Sequence, residues 1–360
     1  MADNRGHLAR LPAELFLLIA EDPCLSTRDL VAFALANSRH ATLALPVLYK
    51  KNIREENASA LLWAVLKENT KIMALLIQYG ADINSVEAST GLHQCLPYRW
   101  IKSLRTNFEF TPLALAARKG LPKAAKWLLE NGADPEVPAR DLCPCDNEPK
   151  TSSGMWRVSR QAGGQPMNQP HWTALHLAVH YGHEDIVQLL VAHGANTRQV
   201  CRLEDGPCSV LHTAFIHERE PTINSLMYRF EGTDMVDINA RGRGGITPLH
   251  IAYCLQSPSL VDMALKFGAY VNLEYQIDRN EWTLFSMACT DEDWSFALRL
   301  LKLGAAADFD LEDEYGRRWT INHFLRDVES RLHSFPFGCA ASPLLDELDR
   351  LTRDHEVAWL

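Results

Sequence analysis

The sequence predicts an all-α fold: a solenoid of six to seven helix pairs preceded by a small three-helix module. The first observation behind this is an internal period. Thr111-Pro112-Leu113-Ala114 precedes Gly132 by 21 positions, and the same interval separates Ser59 from Gly80, Thr173 from Gly194, Thr247 from Gly268 and Thr283 from Gly304. A fixed period means stacked units, each burying the apolar face of its neighbours. The second observation is the helix chemistry inside each period. Thr or Ser opens it as an N-cap, Pro often follows where no donor is needed, and Leu and Ala recur at helical spacing. The third is that residues 8–56 lack the period yet carry short apolar helical runs.

In chain order, Leu11-Pro12-Ala13-Glu14-Leu15 begins a short apolar helix through Ile19. Ser26-Thr27-Arg28-Asp29 reads as a capping box opening a second helix through Leu35, with Asp in place of the usual Glu. Ser38-Arg39-His40 starts a third, which Leu45-Pro46-Val47-Leu48-Tyr49-Lys50 is expected to end. From Ser59 onward each unit should hold two helices. Gly120 and Gly182, nine residues after their Thr, are placed to end the first helix in the left-handed conformation. The second helices are read at Ala124–Leu129, Ile186–Val191, Leu260–Leu265 and Trp294–Leu301, each closed by the landmark glycine. The fourth unit departs from this, with no landmark glycine at Phe230 and an insertion at Glu231-Gly232.

Thr-Pro-Leu-His, the internal Gly-His and the Gly-Ala-Asp/Asn ending resemble the ankyrin repeat, most closely in Thr173–Asn196. The resemblance covers Ser59 to Leu325 and implies a scaffold that binds a protein target. Units start near Ser59, Thr111, Thr173, Ser209, Thr247 and Thr283, and a degenerate seventh at Thr320 serves as a cap. Such units average about 33 residues. The first two intervals here are 52 and 62, so insertions lie near residues 85–110 and 136–170. In ankyrin-like arrays such inserts fall on the edge of β-turn fingers. The first holds Tyr98, Arg99, Trp100 and Arg105, and the second Trp156 and Arg157. Aromatics and Arg dominate binding hot spots, so these six are candidate target contacts. Phe108 and Phe110 are expected to pack back on the scaffold.

The order Leu-Pro-x-Glu-Leu, Asp-Leu, Ser-Arg and Pro-Val-Leu-Tyr across residues 10–54 resembles the F-box. That family is a three-helix module that docks on the adaptor subunit of SCF-type ubiquitin ligases. The resemblance implies that Leu11, Pro12, Leu15, Ile19, Leu30 and Leu35 pack the module and contact the adaptor. A plainer reading makes these helices a cap on the first repeat. The two readings separate on whether the Leu11–Leu15–Ile19 face is open or buried against Leu61, Leu62 and Leu66. The organisation expected is therefore 8–56 as the F-box-like module, 57–327 as the repeats and 328–360 as a capping segment. The combination is one associated with filamentous fungi.

Composition bounds the function. The chain has 360 residues, 47% apolar and 22% charged, with a net charge of −9. An acidic balance disfavours a nucleic-acid surface. Leu15–Ala20 is too short to span a membrane and its acidic flanks do not suit a leader. Nine scattered cysteines suggest reduced thiols in the cytosol or nucleus.

His176, His180 and His183 fall three and four apart, but two of them occupy repeat positions where the ring bonds backbone or the capping Thr; His212 and His250 read the same way. Cys143-Pro144-Cys145 has no second ligand pair at a convincing spacing, although His171, Cys201 and Cys208 could approach it. Gly242-Arg243-Gly244-Gly245 reads as a β-turn, since no strand precedes it and no Lys-Ser/Thr follows. The acidic run Asp308 to Glu314 reads as a solvated connector. No catalytic motif, cofactor or metal is expected. The leading expectation is a non-enzymatic, monomeric substrate receptor; the rival is a scaffold or transcriptional co-regulator acting through the repeats alone.

Overall fold

The computed structural model describes residues 13–22, 25, 29–30, 32, 38–55, 59–88, 109–139, 172–203, 206–228, 236–277, 280–291, 293–306, 310–312, 318–320 and 350. The expected start of the seventh unit reaches no further than Thr320, and its body, the Glu231-Gly232 insertion and nearly all of 328–360 lie outside these residues. The described residues fall into two compact units, one through Thr197 and one from Arg198.

In the first unit, α1 (Ala13–Ala20) packs on α2 (Ser38–Glu55). Ala20, Leu30 and Ala44 form a small buried core flanked by Leu25, Leu43, Val47 and Leu48. Lys51 Nζ donates to the Leu25 carbonyl, tying that segment to α2. The sequence reading ended this helix near Lys50, yet it runs through Pro46 to Glu55. Proline removes one helical donor. Packing on both sides of it holds the helix: Ala44 lies in the core, Tyr49 lies against Tyr79, and Asn52 Oδ1 accepts from the Ala60 amide at 3.1 Å.

Three helix pairs follow in this unit: α3 (Ser59–Leu66) with α4 (Thr70–Gln78), α5 (Pro112–Lys119) with α6 (Pro122–Glu130), and α7 (Ala174–Tyr181) with α8 (Glu184–Ala192). The second unit holds three more: α9 (Val210–Ile216) with α10 (Glu220–Tyr228), α11 (Pro248–Cys254) with α12 (Pro258–Lys266), and α13 (Leu284–Thr290) with α14 (Trp294–Lys302). Within the first unit α3, α5 and α7 pack in succession, and α9 packs on α11 in the second. From α5 onward the first helix of each pair is buried almost throughout, whereas the second buries one face, as Phe296, Ala297, Leu300 and Leu301 do on α14. A helix with neighbours on both sides must be apolar or small-sided nearly all round.

Caps set the period. The Ala114 amide donates to Thr111 Oγ1 at 3.0 Å, and the Ser286 amide to Thr283 Oγ1 at 3.2 Å. Each first helix closes by one bond from beyond its end back to a buried alanine carbonyl, at Ala64, Ala116, Ala178, Ala214, Ala252 and Ala288. This is the closing bond of a Schellman turn, whose terminal residue is left-handed. Gly120 (φ 69°) and Gly182 (φ 78°) meet that need as expected. Glu68, Glu218 and Gln256 take the same position with φ of 49°, 53° and 54°, so the turn imposes the conformation even without glycine.

The expected all-α fold needs one correction. The described residues include four two-stranded antiparallel ladders: β1 (Glu87–Ala88) with β2 (Glu109–Phe110), β3 (Val200–Leu203) with β4 (Gly206–Ser209), β5 (Tyr275–Ile277) with β6 (Asn280–Trp282), and β7 (Asp310–Glu312) with β8 (Arg318–Thr320). The N-caps of α5, α7, α9, α11 and α13 are already extended, with Ser209 at φ −81° and ψ 165°, so the chain ahead of each can pair across the finger. The acidic run contains a strand, β7, paired with β8, and is not only a connector.

Side chains tie successive fingers together. In the first unit the Asp134 amide donates to Asn84 Oδ1 at 2.9 Å, and the Asn196 amide to Glu136 Oε1 at 2.7 Å. In the second, Asn239 accepts from the Tyr270 amide and donates to the Gly268 carbonyl. Asn272 does the same with Ala306 and Gly304. One amide side chain of this kind satisfies two backbone groups of the next turn.

Candidate protein-interaction surfaces

The α1 face is the first candidate surface. Leu15 is 48% exposed, Leu18 68% and Ile19 39%, whereas Ala20 is buried. Positions 15, 18 and 19 lie on one side of a helix, so α1 turns an apolar stripe outward while its other side packs on α2. Leu15 and Ile19 are not covered by the first helix pair, although Leu61 and Leu62 there are fully buried. Leu30, expected both to pack the module and to contact an adaptor, lies in the module's core with no exposed surface. It packs with Ala20 and Ala44, flanked by Leu25, Leu43, Val47 and Leu48. Leu11, Pro12 and Leu35 lie outside the described residues. Leu18 was missed by the sequence reading, though its spacing of three from Leu15 places it on the same stripe.

Trp63 is a second residue the sequence did not single out. It takes the place that Leu115, Leu177, Thr213, Ile251 and Met287 hold in the later pairs. Those five are buried, while Trp63 is 41% exposed. Its signal was available: a tryptophan aligned with aliphatic positions of the repeat.

The fingers form the other candidate surface. Glu87 pairs with Phe110 and Ala88 with Glu109, so the first insertion leaves and re-enters through a paired stem. Ala139 pairs with Trp172 around the second insertion in the same way. Both stems therefore lie at finger positions, as expected. Phe110 is buried, and Arg118 lies over its ring at 5.1 Å and over Tyr181 at 5.7 Å. The candidate contacts Tyr98, Arg99, Trp100, Arg105, Trp156 and Arg157 lie outside the described residues, as do Phe108, Cys143 and Cys145.

The histidines serve the scaffold. His176 Nδ1 lies 2.8 Å from Thr173 Oγ1, and His180 meets Trp172 and Tyr181 edge-on. His183 Nε2 donates to the Arg118 carbonyl at 3.2 Å, joining the third pair to the second. His212 Nε2 donates to the Ile246 carbonyl at 3.1 Å, and its Nδ1 faces the Ser209 hydroxyl at 2.6 Å. His250 Nδ1 likewise lies 2.7 Å from Thr247 Oγ1. Burial pushes His250 down to about 3, the Leu273 carbonyl opposing it, and lowers His212 as well. Both rings are thus neutral at physiological pH. Gly242–Gly245 forms a tight turn against the Glu274–Gln276 backbone. Among the described residues, no three His, Cys, Asp or Glu side chains converge as a metal site, and no helix is long and apolar enough to cross a membrane.

Pairs of capped helices, stacked at a fixed period with hairpin fingers between them, define a helical-repeat scaffold. Models of "ankyrin repeats (3 copies)" and "ankyrin repeat" match residues 32–139 and 171–202. The chain carries ankyrin repeats, which are protein–protein interaction modules. Similar curated proteins include inversin of Canis lupus familiaris, 26% identical over 223 residues, and the putative ankyrin repeat protein FPV031 of fowlpox virus, 26% identical over 222 residues. The matches take in 58% and 62% of this chain but only 18% and 50% of those proteins, respectively. Among solved structures, the ankyrin repeat domain of Bcl-3, described as a unique member of the IkappaB family, overlaps 73% of this chain and 92% of its own. The identity there is 22% and the TM-score 0.49.

Proposed function

We propose that this chain is a non-catalytic substrate receptor of an SCF-type ubiquitin ligase. The repeats and their two finger insertions hold a protein target, and α1 docks on the ligase adaptor. The exposed stripe of Leu15, Leu18 and Ile19 carries this reading. It leaves an apolar helix face open on a module whose sequence resembles the F-box, in the place where that family meets its adaptor. The receptor would be fungal, act in the cytosol or nucleus, and be monomeric outside its complex.

A second reading has its own support. Asn52 caps α3, and the ankyrin match begins at residue 32, inside the N-terminal module. On that reading the module is the first cap of the array, and the chain is a scaffold or transcriptional co-regulator with no ligase.

The two are separated by affinity capture of the intact chain beside Leu15→Asp/Ile19→Asp and Leu18→Asp variants, with adaptor and cullin as readout. All three positions are solvent-facing, so the variants should keep the circular dichroism of the parent. Adaptor captured by the parent and lost at least tenfold by the variants supports the receptor. Adaptor on none of them overturns it in favour of the capped scaffold.

A further inference from the structure

We infer that the turn edge of the first two helix pairs binds an acidic segment of a partner protein through Trp63, Lys67, Lys71, Lys119 and Lys123. This surface is separate from the α1 stripe and from the fingers, and it does not depend on the ligase reading. The turn that joins the two helices of a pair lies about 12 Å from its finger, because α3 and α5 are eight residues long and rise about 1.5 Å per residue.

The lysines form two matched rows. Lys67 and Lys71 flank the turn between α3 and α4, and Lys119 and Lys123 stand 52 positions later at the same places between α5 and α6. All four are exposed. α3 packs on α5, and the Lys123 amide donates to Glu68 Oε1 at 3.2 Å, so the second turn is fixed beside the first. Packed helix axes lie about 8–10 Å apart, an interval that about three residues of extended chain cover at about 3.3 Å each. An extended segment with carboxylates at that interval meets a lysine in each row.

The positive charge is local. The chain carries −9 overall, yet these two turns hold Lys67, Lys71, Arg118, Lys119 and Lys123 against Glu68. Arg118 lies over Phe110 and Tyr181, and Glu68 is engaged by the Lys123 amide. The rows stop at the third pair, where Asp185 takes the second lysine's place beside Glu184; Ser259 and Ser295 take it in the fifth and sixth pairs. Trp63 comes four residues before Lys67, hence on the same face of α3, and is 41% exposed. A tryptophan beside a cationic rim suits a protein segment: the ring supplies contact area, and the rim charges set on-rate and selectivity. The overall negative charge repels nucleic acid. Lysine, a point charge without the planar fork of arginine, suits separate carboxylates.

The test is fluorescence anisotropy of the full-length protein with a labelled twelve-residue peptide repeating Glu-Glu-Leu. A Gln-Gln-Leu peptide and an oligothymidine of the same length serve as comparators. The Glu peptide should bind about tenfold or more tighter than either, and weaken about fivefold between about 50 and 300 mM salt. Lys67→Gln/Lys123→Gln should weaken it about fivefold, and Trp63→Ala about threefold or more. Lys266→Gln/Lys302→Gln, the same charge change on exposed lysines of the second unit, should leave it within about twofold. Circular dichroism confirms that each variant is folded, and Lys67→Gln alone serves should the double variant fold poorly. A Glu peptide bound no tighter than the Gln peptide, equal binding by the parent and the lysine variants, or an unchanged affinity in Trp63→Ala overturns the inference. Tighter binding of oligothymidine overturns it in favour of a nucleic-acid surface.

Discussion

Gly120→Ala should be far more damaging than Gly132→Ala, although both glycines are left-handed. Gly120 has φ 69° and Gly132 φ 89°. For an L-residue that conformation costs about 1–2 kcal/mol, offset by about 0.4–1 kcal/mol from a stiffer unfolded chain. Gly132→Ala should therefore cost about 1 kcal/mol, since a Cβ there meets nothing within 4 Å. At Gly120 a Cβ would sit 2.5 Å from Cε1 and 2.7 Å from Nδ1 of His183. That ring cannot swing aside without breaking its 3.2 Å bond to the Arg118 carbonyl. Losing that bond adds about 1 kcal/mol, and the displaced ring some further packing loss. The total for Gly120→Ala is about 2–3 kcal/mol. Native-state hydrogen exchange over α5 and α6 measures this locally, which suits an array whose pairs need not unfold together. His183→Ala should then cost at least about 1 kcal/mol less in the Gly120→Ala background than alone. Equal losses for the two alanine variants, or full additivity with His183→Ala, would refute the idea that the ring walls this turn.

Two further outcomes follow from the same geometry. Acid should weaken the second unit. His250 titrates near 3 when folded against about 6.5 unfolded, so the unfolded chain binds more protons between those values and stability falls as pH drops below 6.5. From pH 7.5 to pH 5 the loss should be about 2 kcal/mol from His250 alone, with His212 adding in the same direction; urea midpoints should show it, and His250→Ser, copying Ser286 of the sixth pair, should flatten the slope. Asn239→Ala and Asn272→Ala should each lower stability by about 1 kcal/mol, near-additively because each removes its own pair of backbone bonds. A loss under about 0.3 kcal/mol for both, read by thermal melts, would count against the finger-to-finger side chains as structural ties.

Much of the scaffold was legible because caps and turns are local. Thr111 needs only the amide three residues on, and Gly120 only its own φ, so both show in sequence. The insertions were equally visible, as excess length between capped starts. The finger ladders were less so, since a strand two or three residues long has too little alternation to read. Glu68, Glu218 and Gln256 were unreadable as left-handed residues because a completed Schellman turn overrides their own preference. The helix through Pro46 escaped for a related reason: the sequence shows the missing donor but not the packing that compensates for it.

The site divides along the same line. Leu15, Leu18 and Ile19 share a helical stripe in sequence alone, but Leu30 carries the same apolar signal. Hydrophobicity states that a side chain prefers to leave water; it does not state which neighbour removes it. By itself, then, the sequence determined the repeat, its period, its caps and the edge from which the insertions leave, because those depend on interactions within a few residues. Only the tertiary structure decided that Leu30 is core while the α1 stripe stays open, and that Trp63 stands uncovered where five later residues are buried. Each of those depends on what another segment brings alongside, and burial and register exist only once segments meet.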